Sequence, residues 1–375
     1  MLRVALKLAL YDRVRFAITV AGVAFAVTLV LVQVGLFLGI LANATITIEQ
    51  TRADLWVTSH NTSNIDFAHP FPESYVQRVR GVPGVEAADN LIVFYAPVAL
   101  PDGAEETLLA YGVTDWARWN LPWNVVEGDL DQLRMGRGMF LDESAAGRFG
   151  PFAVGDYREV AGTRLQISGR TREAKSFTTV PIAFFEFHAF QRLVADLDGK
   201  TTYVIVRTAP GVDPRVVAAE IRRRLPYNDV YTSDAWAKRT LNYWLDSTGL
   251  GMNMYVTVFL GCLVGVVVVA QTLYAATMDH LKEFGTLKAI GGSNAEVYSI
   301  LAWQAVIVAV VGYVAGLVPS FLARVVLGRA ANLDVKIVPA FLVVVFVGTL
   351  VMCLAASMVS FRKIASIDPA LVFRA

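Results

Sequence analysis

Few residues in this chain of 375 could carry out catalysis, and they do not group together. No histidine has a partner at the spacing of a catalytic triad or a metal site. Both cysteines fall inside long apolar runs, so no disulfide framework and no Cys/His metal site is predicted. This pattern argues against an enzyme and predicts no cofactor in the chain. The residues concerned are His60, His69, His188, His280, Cys262 and Cys353.

One short stretch resembles part of a phosphate-binding loop. Gly199, Lys200 and Thr201 have the end of the pattern G-x-x-x-x-G-K-[ST], but Val194 stands where the first glycine is required. That glycine supplies the backbone geometry that cradles phosphates. The sequence therefore predicts a surface turn here, and ATP bound by a separate subunit. The 15 residues before the first apolar run leave no room for an ATPase domain in front of it.

The strongest chemical signal is a recognition segment, DHLKEFGTLKAIGGSNAEV at 279–297, which lies between two long apolar runs. Apolar residues recur at three- and four-residue spacing, which predicts a helix with one apolar stripe. Lys282 and Glu283 would then face water or a partner. The stripe consists of Leu281, Phe284 and Leu287.

The same segment carries helix stop and start signals. Gly291 and Gly292 are predicted to end the helix, because glycine tolerates the left-handed conformation of a C-terminal cap. Ser293 and Glu296 fit a capping box at the start of the next helix. These signals predict a helix–turn–helix corner at a membrane surface. From the residues alone, the corner is either a surface for a second protein or a simple connector.

The elements around this segment are membrane spans. Only 17% of the residues are charged, against about 25% in soluble domains. About 20 apolar residues cross a bilayer as a helix, so four uncharged runs predict four transmembrane α-helices. A signal peptide is the alternative for the first run, but its apolar part would be only about 7–15 residues. The uncharged runs are Phe16–Ile48, Ser247–Met278, Val297–Ala323 and Ile337–Phe361.

The runs divide the chain into nine predicted segments. Positive residues favour the cytoplasmic side; nine lie on the side that holds both termini and three in the opposite loop, so both termini are predicted to be cytoplasmic. The segments are a cytoplasmic N-terminal segment 1–15, helix 16–48 with a stalk extension, an extracytoplasmic domain 49–246, helix 247–278, a cytoplasmic coupling segment 279–296, helix 297–323, an outer loop 324–336, helix 337–361 and a cytoplasmic tail 362–375.

The large segment 49–246 alternates strand and helix signals, which predicts an α+β domain. Its 26 acidic and 21 basic residues give a net charge of −5, and no basic patch indicates nucleic acid. The stretch 120–155 is interpreted as a second lobe. Strands are predicted at 85–100, 107–114, 156–168, 177–183 and 202–208, and helices at 72–80, 142–149, 184–195, 213–225 and 234–246.

Tryptophans in this domain allow two interpretations. Trp116, Trp119 and Trp123 form either an exposed contact surface for a partner or lipid, or a hydrophobic core under a loop. Trp56 and Trp244 follow and precede predicted spans, and tryptophan at such places commonly anchors at the lipid–water boundary.

The predicted spans lack acidic residues. An ion-driven transporter would normally carry Asp or Glu there, so the pattern argues against that class.

Small residues four apart let helices approach closely. Three such pairs predict close helix contacts: Gly35 and Gly39, Gly261 and Gly265, and Gly312 and Gly316.

Several stretches resemble the FtsX-like, or MacB-type, ABC transporter permease family. LKEFGTLKAIGGSNAEV at 281–297 is similar to the cytoplasmic segment of that family. GRGMFLDESAAGRFGPFAVGDYREVAGTRLQISG at 136–169 resembles its periplasmic core domain, and SIDPALVFRA at 366–375 resembles its usual ending. The order of one span, a large outer domain and three spans covers the whole chain. The opening is most similar to DevC-type permeases.

The resemblance implies that the segment after the second span is a coupling helix that rests on a separate ABC ATPase subunit. It also implies a second copy of the chain, a periplasmic membrane-fusion adaptor protein and membrane lipids as partners, in the bacterial inner (plasma) membrane. The implied coupling residues are Leu281, Lys282, Glu283, Phe284, Gly285, Thr286, Leu287, Lys288, Gly291 and Gly292.

The function implied is that of a non-catalytic permease subunit in an ATP-driven exporter that works by mechanotransmission. A lipid, a glycolipid or another hydrophobic compound is the expected cargo. An alternative is a non-transporting, FtsX-like regulator that activates a cell-wall hydrolase across the membrane. A membrane-bound enzyme that acts through the outer domain is an alternative of a different class.

Overall fold

A computed structural model describes residues 5–7, 11, 13–178, 180–279, 293–331 and 335–365. The chain divides into two compact units. One, here called the outer domain, consists of Ile40–Gly251; the other, the membrane unit, holds the described residues on either side of it.

Four helices among the described residues are long and apolar enough to cross a membrane. They are α1, α9, α10 and α11, and they confirm the predicted class of a four-helix membrane protein with an α+β domain after the first helix. The helices are α1 Arg13–Gln50, α2 Tyr75–Arg80, α3 Trp116–Trp119, α4 Leu130–Arg134, α5 Ala146–Phe149, α6 Phe187–Leu193, α7 Pro214–Arg224, α8 Ser233–Asn242, α9 Leu250–Asp279, α10 Asn294–Ala331 and α11 Pro339–Ala365.

The outer domain is built on one ten-stranded sheet, with a separate two-stranded pairing of β10 and β2. The pairing order of the large sheet is β12-β1-β11-β3-β4-β9-β6-β8-β5, and β7 pairs with both β3 and β8. The strands are β1 Leu55–Ser59, β2 Phe71–Pro72, β3 Val85–Ala99, β4 Glu105–Val113, β5 Val125–Gly128, β6 Gly138–Asp142, β7 Tyr157–Val160, β8 Thr163–Thr171, β9 Ile182–Glu186, β10 Lys200–Thr201, β11 Tyr203–Thr208 and β12 Asn228–Thr232.

The double pairing of β7 closes part of the sheet into a ring. Val98 of β3 pairs with Val160 of β7, and Tyr157 of β7 pairs with Gln166 of β8. The strands β3, β4, β9, β6, β8 and β7 therefore follow one another in a closed circuit. The prediction that 120–155 forms a second lobe is wrong, because β5 and β6 extend the same sheet.

Alternating side chains give the sheet an apolar core on both faces. In β9, Ile182 and Phe184 belong to one core, whereas Ala183 and Phe185 belong to the other. The first core also receives the outer end of α1, together with α3 and α8, and the second receives α5 and α6. A third core lies where α2 and α7 cover β1 and β11.

All three clustered tryptophans lie in the first of these cores. Trp116, Trp119 and Trp123 are at most 3% exposed. Trp119 donates from Nε1 to an oxygen of Asp89 at 2.9 Å. The interpretation as a hydrophobic core is confirmed, and the exposed contact surface is wrong.

The two tryptophans predicted as membrane anchors are buried inside the outer domain. Trp56 is fully buried on β1 and donates from Nε1 to Ser233 Oγ at 3.2 Å. Trp244 stacks on Phe177 with the ring centroids 3.8 Å apart. The prediction failed because distance from a predicted span does not reveal whether protein already covers a ring.

Local signals placed some elements correctly and missed others. Asp213 caps α7 by accepting the amide of Arg215 at 2.9 Å, next to Pro214, as its sequence predicts. The strand predicted at 177–183 begins only at Ile182. Before it, the Ser176 hydroxyl accepts the amide of Val180, and such local hydrogen bonds compete with strand pairing.

Candidate coupling site

The implied coupling residues lie outside the described residues. Leu281–Leu287 and Lys288, together with Gly291 and Gly292, fall within 280–292, between the last residue of α9 and the first described residue before α10. Their role as an ATPase-binding surface stays a prediction.

The capping box at the start of α10 is confirmed. Ser293 N donates to Glu296 Oε2 at 2.8 Å, and Glu296 N donates to Ser293 Oγ at 3.2 Å. These reciprocal bonds satisfy two amides that a helix start would otherwise leave unpaired. The direction in which α10 leaves the segment is therefore fixed by the two side chains.

The first turns of α10 are also covered by the N-terminal segment of the chain. Ala5 is fully buried in a small apolar cluster with Val297, Ile300 and Leu301. No pattern in the sequence predicts this contact, because residues 1–15 are recognisable only as a basic segment. A displacement at the start of α10 would therefore also reach residues near the N-terminus.

Glycines bring α1 and α10 into close contact. A Cβ added to Gly312 would lie 2.6 Å from Val23 Cβ, and one on Gly316 would lie 2.8 Å from the carbonyl oxygen of Ala24. Thr28 Oγ1 of α1 also donates a hydrogen bond to the carbonyl oxygen of Gly316 at 3.1 Å. The predicted close contact through this pair is confirmed.

A second pair of glycines brings α1 against α9. A Cβ added to Gly261 would lie 2.5 Å from Leu29 Cδ2, and one on Gly265 would lie 2.8 Å from Ala26 Cβ. Both α9 and α10 thus pack on α1 through pairs of glycines. A further hydrogen bond joins α10 and α11, from Tyr313 Oη to the carbonyl of Leu342 at 2.9 Å.

The outer end of α1 is part of the outer domain's core. The boundary between the two units falls within this helix, between Gly39 and Ile40. Beyond it, Thr47 Oγ1 lies 2.9 Å from the hydroxyl of Tyr111 on β4. The carbonyl of Gln50, the last helical residue, accepts from Asn120 Nδ2 at 3.0 Å. The single helix α1 therefore contributes residues to the membrane unit and to the core of the outer domain.

The chain leaves the outer domain next to the point where it enters. Trp244, in the π-helical turn Tyr243–Ser247, packs in one apolar cluster with Ala44 of α1 and Phe177. The sequence could not indicate this contact, since 200 residues separate its two sides.

A buried carboxyl lies close to these contacts. Asp66 is 4% exposed, and one of its oxygens has no hydrogen-bond partner among the described residues. Burial raises the pKa of Asp66 to about 7, although a backbone hydrogen bond from Phe177 partly opposes the rise. The adjacent Phe67 contacts the rings of Tyr243 and Trp244. The sequence offered no signal for this group.

Among the described residues, no three His, Cys, Asp or Glu side chains are grouped so that they could hold a metal ion. Lys200 and Thr201, at the end of the incomplete phosphate loop, form β10 and pair with Pro72 and Phe71. Gly199 just before them adopts a φ of +65°, as expected for a tight turn.

Two family models match the chain. The MacB-like periplasmic core domain matches residues 16–224, and the FtsX-like permease C-terminal domain matches residues 255–369. The first match alone covers more than half of the chain. The chain therefore belongs to the MacB/FtsX-type family of ABC transporter permeases, as its sequence predicts.

Similar proteins agree with this placement. An uncharacterized ABC transporter permease of Mycobacterium bovis is 27% identical over 96% of this chain and 95% of its own length. One from Mycobacterium tuberculosis is 26% identical over 100% of this chain and 99% of its own length. Membership of an ABC permease family implies an ATPase partner.

Two solved structures are also similar. The periplasmic region of MacB from Actinobacillus actinomycetemcomitans has 10% identity and a TM-score of 0.40, over 50% of this chain and 92% of that one. The extracellular domain of the transporter YknZ from Gram-positive bacteria has 14% identity and a TM-score of 0.36, over 48% of this chain and 99% of that one.

Proposed function

We propose that this chain is the non-catalytic membrane subunit of an ATP-driven exporter that transmits force rather than forming a wide channel. A separate ABC ATPase binds ATP and acts on residues 281–292. The chain works as a homodimer in a bacterial plasma membrane, with both termini in the cytoplasm. Its outer domain engages a periplasmic adaptor protein.

The observation that carries the proposal is the continuity of α1. This helix runs without a break from Arg13 to Gln50. Its membrane part packs through the glycines of α9 and α10, and its last turns are buried in the outer domain. A tilt or shift of such a helix moves both of its ends, because its backbone is hydrogen-bonded throughout.

The ends of α9 and α10 support the position of the ATPase contact. Both helices border the segment that holds the proposed coupling residues, and the Ser293–Glu296 box fixes the start of α10. Both helices also pack on α1. A push on the segment would thus reach α1 from two sides.

The proposed cargo class is a lipid, a glycolipid or another hydrophobic compound. An apolar crevice of about 400 Å³ in the membrane unit supports this choice. It is lined by α1, α9 and α11, including Val30, Cys262 and Val344. Among the described residues that line it, only Cys262 and Thr349 carry a polar side chain, which suits an acyl chain. The similarity to DevC-type permeases stays a prediction.

The proposal can be tested without knowing the cargo. A fluorescent label on Asp102→Cys, in a background without Cys262 and Cys353, would report on the outer domain of the full chain reconstituted with its ATPase. ATP should change the label's emission. Ala42→Pro should abolish this change and leave ATPase binding intact, because proline interrupts a helix at a cost of about 3 kcal/mol.

Two further variants complete the experiment. Ala42→Ser changes the same position without breaking the helix and should keep the response. Phe284→Ala should weaken both the stimulation of ATP hydrolysis and the label response, because it alters the proposed ATPase contact. A full response in Ala42→Pro would refute force transmission through α1, and normal coupling in Phe284→Ala would refute the coupling site.

A further inference from the structure

A cleft of about 540 Å³ on the outer domain gathers positive charge. It is lined by the turn before β6, by β7 and β8, and by α6. Three arginines from three of these places line it: Arg137, Arg164 and Arg192. Its volume is in the range of small-molecule sites.

None of the three arginine side chains forms an ion pair or a hydrogen bond with any residue that the structure describes. Most other arginines of the domain have such partners, as Arg80 and Arg118 do with Asp89. Unpaired guanidinium groups keep all of their donors available.

Two acidic residues, Glu186 and Glu159, lie close to the cleft but form no ion pair with its arginines. No acidic residue is among the described residues that line it. Glu186 begins α6 and uses Oε2 to accept the amide of Ala189 at 2.6 Å, as an N-cap. Glu159 is opposite Arg164 in the pairing of β7 and β8, but the two side chains form no ion pair.

The cleft contrasts with the charge of the domain around it. Residues 49–246 carry a net charge of −5, so three arginines without an ion-pair partner among the described residues form a distinct positive site. Such a site attracts anions and raises their local concentration. Tyr157 holds one guanidinium in place, because Arg164 lies 4.6 Å from the centroid of its ring.

We propose that this cleft binds a phosphate group, carried by a free small molecule or by a lipid headgroup. A carboxylate offers two oxygens and is saturated by one or two guanidinium forks. A phosphate offers more acceptor oxygens and a second charge, so three forks can bind it together. This site is independent of the proposed ATPase coupling and of α1.

The test is calorimetric titration of the full chain in detergent at constant ionic strength. Pyrophosphate is the probe, and citrate is a carboxylate of similar charge. The test variant is R137Q/R164Q/R192Q. The control variant, R78Q/R148Q/R215Q, removes three other exposed arginines that lie outside the cleft and form no ion pair among the described residues.

We expect pyrophosphate to bind more tightly than citrate. Each lost charged hydrogen-bonding group should weaken binding about tenfold or more, so the test variant should lose measurable binding. The control should stay within about twofold of the natural chain, because none of its three arginines lines the cleft and exposed charges are screened by salt. R192K keeps the positive charge but lacks the paired N–H donors of a guanidinium, so it should bind pyrophosphate with intermediate affinity. This milder variant tests the site even if the triple variant does not fold.

One soluble lipid and inorganic phosphate together distinguish the source of the phosphate group. Dihexanoyl phosphatidic acid binding at least tenfold more tightly than inorganic phosphate would support a lipid headgroup, and equal affinities would support a free phosphate compound. The proposal is overturned if pyrophosphate does not bind, if citrate binds equally well, or if the test and control variants lose affinity equally.

Discussion

The outer domain and the membrane unit are filled by different kinds of side chains. Eleven of the twelve largest fully buried side chains among the described residues are aromatic groups of the outer domain, and only Leu31 belongs to the membrane unit. The membrane unit instead places glycines where helices meet. In water, burial of a large apolar surface stabilises the folded state. Lipid is as apolar as a side chain, so helices in a membrane are stabilised instead by close packing of their backbones.

The largest expected effect comes from removing a ring from the outer domain's core. Trp119→Ala removes a fully buried indole and its hydrogen bond to Asp89. Truncation of a buried tryptophan costs about 3–5 kcal/mol, so the melting temperature of the full chain in detergent, followed by tryptophan fluorescence, should fall sharply.

The matched control for this truncation is Trp303→Ala in α10. Trp303 is 41% exposed in the membrane unit, where lipid would surround it. Its removal should change the melting temperature little. Similar losses in the two variants would contradict the difference between the two interiors.

The second effect concerns Asp66, an ionisable group in the interior of the outer domain. Because its pKa is raised from 3.8 to about 7, the folded state binds a proton that the unfolded state releases between these pH values. The free energy of unfolding should therefore decrease as the pH rises from about 4 to about 7, by up to about 1.4 kcal/mol per pH unit. Above pH 7 this contribution should no longer change.

Asp66→Asn removes the titrating group at the same position. Its melting temperature should lack this component of the pH dependence between pH 4 and pH 7. An unchanged pH profile in the variant would show that other groups cause the dependence.

The third and smallest effect tests the glycine contacts of the membrane unit. Gly312→Ala places a methyl group 2.6 Å from Val23 Cβ, and this β-carbon cannot rotate away. Overpacking of this kind costs about 1–3 kcal/mol. Cys353, which is fully buried in the same bundle, should then react about tenfold faster with a membrane-permeant maleimide.

Two controls are present in the chain. Cys262 is exposed already, so its labelling rate should not change. Gly348→Ala adds a methyl group where no atom lies within 4 Å, and should stabilise α11 slightly, since alanine is the better helix former. Equal effects of the two glycine substitutions would contradict packing through small residues.

Local patterns predicted the membrane spans, the capping box of Ser293 and Glu296, and the start of α7 at Asp213. Each of these depends on residues close together in the sequence. The exit contact of Trp244 with Ala44 and the burial of Asp66 could not be predicted, because each depends on strands and loops far apart in the chain. The prediction of a second lobe at 120–155 was wrong for the same reason. β6 pairs with β8 and β9, not with β5 and β7, which are its neighbours in the sequence.

The ring of strands has a consequence for any partner of the outer domain. All four residues of β7 pair with β8, and two of them, Glu159 and Val160, also pair with β3. At these two residues an incoming peptide therefore finds no free strand edge on which to continue the sheet. A molecule that approaches this point must be recognised by side chains, which can change during evolution without disturbing the backbone beneath them.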